Sequence, residues 1–138
     1  MAKPAVVRRS PARTIERTET IPSGASRTFV VETAGWADRL SLVSMLVNTN
    51  DGFTGLDSLP LRGRHTELLV GAYDAGAERN NQRLDSIPGP CCGHRFVGDP
   101  EIARIAMHPG IVDGVGDLTA ALFGWTGPVA RITIDRLG

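Results

Sequence analysis

The chain has 138 residues, 41% hydrophobic and 22% charged, the make-up of one globular domain able to bury a core without disulfides or metals. Its 15 basic and 15 acidic residues cancel, so no global field draws it to nucleic acid or to an anionic membrane surface. The apolar run LSLVSMLV falls far short of the roughly 20 residues needed to cross a bilayer, so no membrane insertion is expected.

Charge is unevenly spread. Met1 to Arg27 holds six basic and two acidic residues, 6 − 2 = +4, which leaves 9 − 13 = −4 for the rest. This basic N-terminal arm reads either as a solvated tail or as a partner-contacting segment, ahead of a domain over 28–138. The start, MAKPAVVRRSPARTIERTET, puts arginines where an export signal needs apolar residues. The chain is therefore expected to be cytoplasmic, or the mature form of an exported protein.

RTFVVET (27–33) is the first strand candidate, and AGW links it to a second in DRLSLVSMLVNT (38–49). Both faces of the second are largely apolar, which predicts a central strand packed on two sides. NTNDGFTGLDSLPL (48–61) reads as the loop that follows, with Asp51 and Asp57 among glycines. TELLVGAY (66–73), EIARIAMH (101–108) and PVARITIDRL (128–137) are further strands. The last has a period of two, with Ala130, Ile132 and Ile134 opposite Arg131, Thr133 and Asp135. DLTAALFGW predicts one short helix, capped by Asp117 and ended by Gly124. Residues 74–99, rich in Gly, Pro, Asn and Arg, form a long aperiodic loop. Short strands, turn residues and little helix predict an all-β antiparallel β-sandwich with long loops.

Asp51 follows one expected strand and Asp74 follows another. Loops at one end of a sandwich cluster, so these two carboxylates are candidates for a shared cation site assembled from separate loops. The competing reading has each aspartate capping its own turn. PCCGH offers a different chemistry. Cys91 and Cys92 with His94, or with His108, suggest a thiol nucleophile or a zinc site. Against these stand two thiols packed under a loop or paired with another chain, and His108 as a strand-end histidine bonded to the next loop. A vicinal disulfide requires a strained eight-membered ring. Asp113 and Asp117 are a further acidic pair, Trp36, Trp125, Phe53 and Phe123 a candidate sugar platform, and Arg62, Arg64 and His65 a basic turn.

The ordered phrases SMLVNTNDGFTGLDSLPL, AYDAGAERNNQ, IPGPCCG, HPGIVDGVGDL and W-x-x-PVARITI resemble the spondin domain across Phe29 to Arg136. ND-x-F-x-G-x-DSL and YDAG are similar to the animal spondin and mindin modules, whereas IPGPCCG and HPGI are more like the bacterial branch. The resemblance implies a C2-like sandwich that holds calcium at one loop end, in a non-enzymatic extracellular or cell-surface interaction and adhesion module. Its implied ligands are Asp51 and Asp74, with the carbonyl of Val47 or Asn48. Glu32 is a third carboxylate, and Asp57 is either a ligand or bonded locally. The implied partner is a protein or glycan surface, or a further copy of the chain. The export signal and earlier strand of bacterial relatives, and the framework cysteines of the animal modules, are not found.

Overall fold

The computed structural model describes residues 19–32, 38–93 and 96–137. The chain divides into two compact units, Met1–Asp38 and Arg39–Gly138. Within the first, Ala25 N–H closes a turn on the Pro22 carbonyl, and Arg27 pairs with Glu19 at 3.8 Å. Residues 27–32 carry no strand, contrary to the reading of RTFVVET. β-branched residues favour extended backbone, but a strand exists only where a partner accepts its ladder. Thr33 and the AGW link lie outside the described residues.

The second unit is all-β and antiparallel. Strand β1 (Arg39–Met45) pairs with β2 (Gly52–Pro60), β2 with β4 (Tyr73–Asp74), and β4 with β5 (Ala106–Met107), in the order β1-β2-β4-β5. A separate ladder joins β3 (His65–Val70) to β6 (Ala130–Asp135), from His65↔Asp135 to Val70↔Ala130. The expected alternation of β6 is present, with Ala130, Ile132 and Ile134 half-buried and Arg131, Thr133 and Asp135 exposed.

Four expectations are corrected here. β1 lies at an edge of its sheet rather than its centre, and Val43 and Met45 are exposed. The supposed loop 48–61 is mostly β2, the longest strand, and only residues 46–51 turn. Its glycines and aspartates hide the strand from a propensity reading, but pairing on both sides overrides propensity. TELLVGAY splits at Gly71–Ala72 into β3 and β4, which belong to different sheets, and EIARIAMH contributes only Ala106 and Met107.

The tight turn into β2 is built by Thr49. Its hydroxyl donates to the Leu46 carbonyl at 2.6 Å and accepts from Gly52 N–H at 2.8 Å. Leu46 N–H donates to Gly52 O and closes the hairpin at 2.8 Å.

The short helix α1 (Ala120–Phe123) ends at Gly124 as expected, but Asp117 is not its cap. The N-cap position is Thr119; Asp113 accepts from Ala120 N–H at 2.7 Å, while Asp117 accepts from Leu84 N–H at 3.0 Å. The buried apolar cluster is Ile87, Ile111 and Leu118, with Cys91, Cys92, Phe123 and Trp125 packed against it. It sits under the long connections rather than under β1, so the loops carry much of the core.

Candidate functional site

Register brings the two aspartates together. β2 and β4 pair Gly52 with Asp74, so Asp51 leaves β2 beside the point where the chain leaves β4. Both carboxylates then organise the turn that follows. Asp74 Oδ1 accepts from Gly76 N–H at 2.7 Å, and its Oδ2 accepts from the Asn80 amide at 2.5 Å. Asp51 Oδ2 accepts from Ala77 N–H at 2.7 Å and Glu78 N–H at 2.9 Å. The YDAG phrase gains a physical meaning in this turn. Gly76 has φ +72°, and a Cβ there would lie 2.9 Å from the Ala103 carbonyl carbon, so both dihedral and space demand glycine.

The carboxylates do more than cap the turn. Asp51 Oδ1 is sealed from solvent and has no hydrogen-bond partner, and His108 Nε2 is in the same condition. His108 reaches this corner through β5, where Tyr73 pairs with Met107 and His108 N–H donates to Ala72 O at 3.0 Å. Its Cδ2 would lie 2.9 Å from a Cβ placed on Gly52, so the Cδ2–Nε2 edge of the ring faces the residue next to Asp51. Burial depresses the pKa of His108, partly offset by the negative charges of Asp74 and Asp51. Gly110 N–H donates to Nδ1 at 3.0 Å, which makes His108 the strand-end histidine bonded to the next loop. Trp125 tilts onto the ring with centroids 5.1 Å apart.

A second layer of amides fixes the corner. Asn50, 4% exposed, donates to Asn81 Oδ1 at 3.0 Å and accepts from Gln82 N–H at 3.2 Å. Asn81 donates to Asp99 Oδ2 at 3.0 Å. Gln82, also 4% exposed, donates to the carbonyls of Val112 (2.9 Å) and Val115 (2.5 Å) and accepts from Val112 N–H at 2.7 Å. The long connection 74–99 is therefore pinned, with Glu78 bridged to Pro100 at its base. The consecutive amides of Asn80, Asn81 and Gln82 were the available signal for this network, and the reading of the loop as aperiodic passed over it.

Asp57, Asn48 and the Val47 carbonyl meet other partners. Asp57 is six residues along β2 from Asp51, about 20 Å at strand rise. It accepts from the hydroxyls of Ser41 (3.0 Å) and Ser58 (2.9 Å), and so bonds locally. Glu32 belongs to the first compact unit, Met1–Asp38. Asn48 turns its side chain to the 89–92 turn, where Cys91 N–H donates to its Oδ1 at 3.4 Å. The Val47 carbonyl faces Gly89, where a Cβ would come within 2.0 Å of it. Asp113 and Asp117 hold separate backbone groups and form no pair site.

Cys91 and Cys92 are joined to each other in the 3-10 turn Pro90–Cys92, a correction to the expectation of two thiols. In that state they supply neither a thiolate nucleophile nor zinc ligands. His94 and Trp36 lie outside the described residues. Phe53 stacks on Tyr73 at 5.5 Å, and Phe123 and Trp125 pack on the core, so these three aromatics form no exposed row. His65 is bonded to Asp135 at 2.7 Å across the β3–β6 ladder.

Among the described residues no group of three or more His, Cys, Asp or Glu side chains is arranged to hold a metal ion. A cation at the Asp51–Asp74 corner would thus draw on two carboxylates, backbone carbonyls and water. That donor set is hard and irregular, as calcium tolerates. An open cleft of about 390 Å³ adjoins His108 and is lined by Ala72, Met107, Trp125 and Pro128, with His108 its one titratable side chain. No protein-family profile, curated protein or solved structure matches the chain.

Proposed function

We propose that this chain is a non-enzymatic calcium-binding interaction module of the spondin type, a C2-like sandwich with calcium ordering one loop end. The observation that carries this reading is the sealed, unpartnered Asp51 Oδ1 in the corner shared with Asp74. An ionised carboxylate oxygen without a donor is costly to bury, and a hard cation removes the cost. Asp51 and Asp74 would hold the ion, and it would supply charge neutralisation and rigidity rather than catalysis. In this reading no carboxylate in the corner is left over as a base, because both would be ligands of the ion.

The partner in this reading is a protein or glycan surface met by the ordered loops, at an extracellular or cell-surface location. An assembly role is a second reading, favoured by the exposed apolar side chains Val43 and Met45 on β1 and Ile105 and Met107 at β5.

Thermal unfolding of chelator-treated protein, titrated with calcium, magnesium and zinc, tests the main reading. An ion bound only by the folded state adds about 2.7 kcal/mol at a hundred times its Kd. A calcium-selective rise in Tm is expected, lost in both Asp51→Asn and Asp74→Asn. Absence of any shift in the wild-type protein overturns the proposal. A shift with zinc alone overturns it too, and returns attention to the cysteine–histidine region.

A further inference from the structure

We propose that His108 is a positioning residue of the cation site, its Nε2–H holding a water molecule against the ion and Asp51 Oδ1. This rests on the calcium reading above, and it assigns a role that neither aspartate can fill.

The tautomer follows from one hydrogen bond. Gly110 N–H donates to His108 Nδ1 at 3.0 Å, so Nδ1 presents a lone pair. In the neutral ring the single proton then sits on Nε2, which is a donor. The same bond excludes the imidazolium, whose Nδ1–H would oppose the Gly110 N–H.

That donor has nowhere to go. Nε2 is sealed from solvent without a partner, and Asp51 Oδ1 is a sealed acceptor without one. The two are not bonded to each other, yet the ring edge stands over Gly52, next to Asp51 in sequence. Leaving both unmet is costly. A water between them meets Nε2–H in full and Oδ1 in part. It accepts from Nε2–H and donates to one side of Oδ1, whose other lone pair is left for the ion. The water's own second lone pair remains for a cation, which gives it the two to four polar partners that buried water needs.

Direct ligation by His108 is disfavoured on the same grounds. A metal takes the nitrogen lone pair, so Nε2 would have to lose its proton to Nδ1. The Nδ1–H would then point at Gly110 N–H, donor against donor. A histidine locked in this way supports a hard ion that retains water, and acts from outside the ligand shell.

The experiment uses the full chain with ¹⁵N-labelled histidine. Long-range ¹H–¹⁵N spectra report the tautomer with and without calcium, with the three histidines separated by single variants. Calorimetric titration with calcium then compares wild type, His108→Gln and His108→Leu. Glutamine can place an amide N–H near the Nε2 position, whereas leucine cannot. The expected result is a ring that stays Nε2-protonated with calcium bound, calcium affinity within about threefold of wild type for His108→Gln, and a loss of about tenfold or more for His108→Leu. If calcium binds and His108→Leu binds it as tightly as wild type, the positioning role is overturned and the calcium site stands. A switch to the Nδ1-protonated tautomer on adding calcium makes His108 a ligand and also overturns it. If His108→Leu fails to fold, His108→Phe replaces it, keeping a ring against Trp125 without an N–H, and unchanged calcium affinity in it overturns the role. If wild type binds no calcium, the calcium reading fails first and takes this one with it.

Discussion

Replacing Gln82 with leucine removes the side chain that, among the described residues, ties the 112–115 loop to the corner. Three hydrogen bonds are lost, which leaves Val112 N–H and Val115 C=O without a partner, while Val112 C=O keeps the Val115 N–H at 3.2 Å. Each bond has a net worth of about 1 kcal/mol, and a group left buried and unpaired costs about 1–3 kcal/mol. Val112 and Val115 each expose nearly half their surface, 46% and 41%, so water reaches part of the loop and the lower end applies. The expected loss is about 3 kcal/mol, or roughly 10 °C in Tm for a unit of this size. Urea unfolding followed by tryptophan fluorescence measures it, and hydrogen exchange at the Val112 amide locates it. Gln82→Glu is a sharper probe, because it keeps the shape and the Val112 N–H bond but sets a carboxylate against two carbonyls. A Gln82→Leu variant that loses under 1 kcal/mol and keeps Val112 protected would show that the amide does not hold this loop.

Gly89→Ala places a Cβ 2.0 Å from the Val47 carbonyl oxygen and 2.4 Å from Asn48 Oδ1. Its φ of −74° suits any residue, so the cost is overpacking alone, about 1–3 kcal/mol by chemical denaturation. Asp113→Ala removes the acceptor for Ala120 N–H and is expected to cost about 1 kcal/mol, with faster exchange of that amide, while Asp117→Ala leaves it unchanged. In chelator-treated protein the depressed pKa of His108, faced by Asp74 and Asp51, fixes the sign of its pH dependence. The unfolded chain binds the proton more readily, so this contribution is flat above the ordinary histidine pKa and is lost as pH falls below it. Denaturant midpoints across pH 5–8 should show that slope in wild type, reduced in His108→Gln.

What could be read from the sequence depended on how local the cause was. β6 was legible because a two-residue period is written in its own side chains, and α1 ended at Gly124 for an equally local reason. β2 was not legible. Its sequence has the glycines and acids of a turn, and it becomes a strand only because β1 and β4 flank it. Conversely RTFVVET has strand residues without a ladder in the described part. At the site, the meeting of Asp51 with Asp74 followed from the expectation that loops at one end of a sandwich cluster. The neighbouring role of His108 depended on register between β4 and β5, two strands of two residues each, which no periodicity reveals. The Cys91–Cys92 bond was weighed but set behind free thiols, since adjacency alone does not say whether the backbone will accommodate the ring.

The ladder between β3 and β6 has a consequence for the order in which the protein can be made. His65 finds its partner Asp135 70 positions later in the chain. At about 5–20 residues per second on the ribosome, β3 waits some 4–14 seconds for β6 to be synthesised. Through that interval Leu68 and Leu69 stand on a strand whose N–H and C=O groups have no ladder, the kind of edge that recruits wrong partners. His65 and Glu67 share one face of the strand with Leu69 and keep most of that face polar meanwhile. Substitutions that make that face apolar should therefore reduce the yield of soluble chain during expression, even where the finished fold tolerates them.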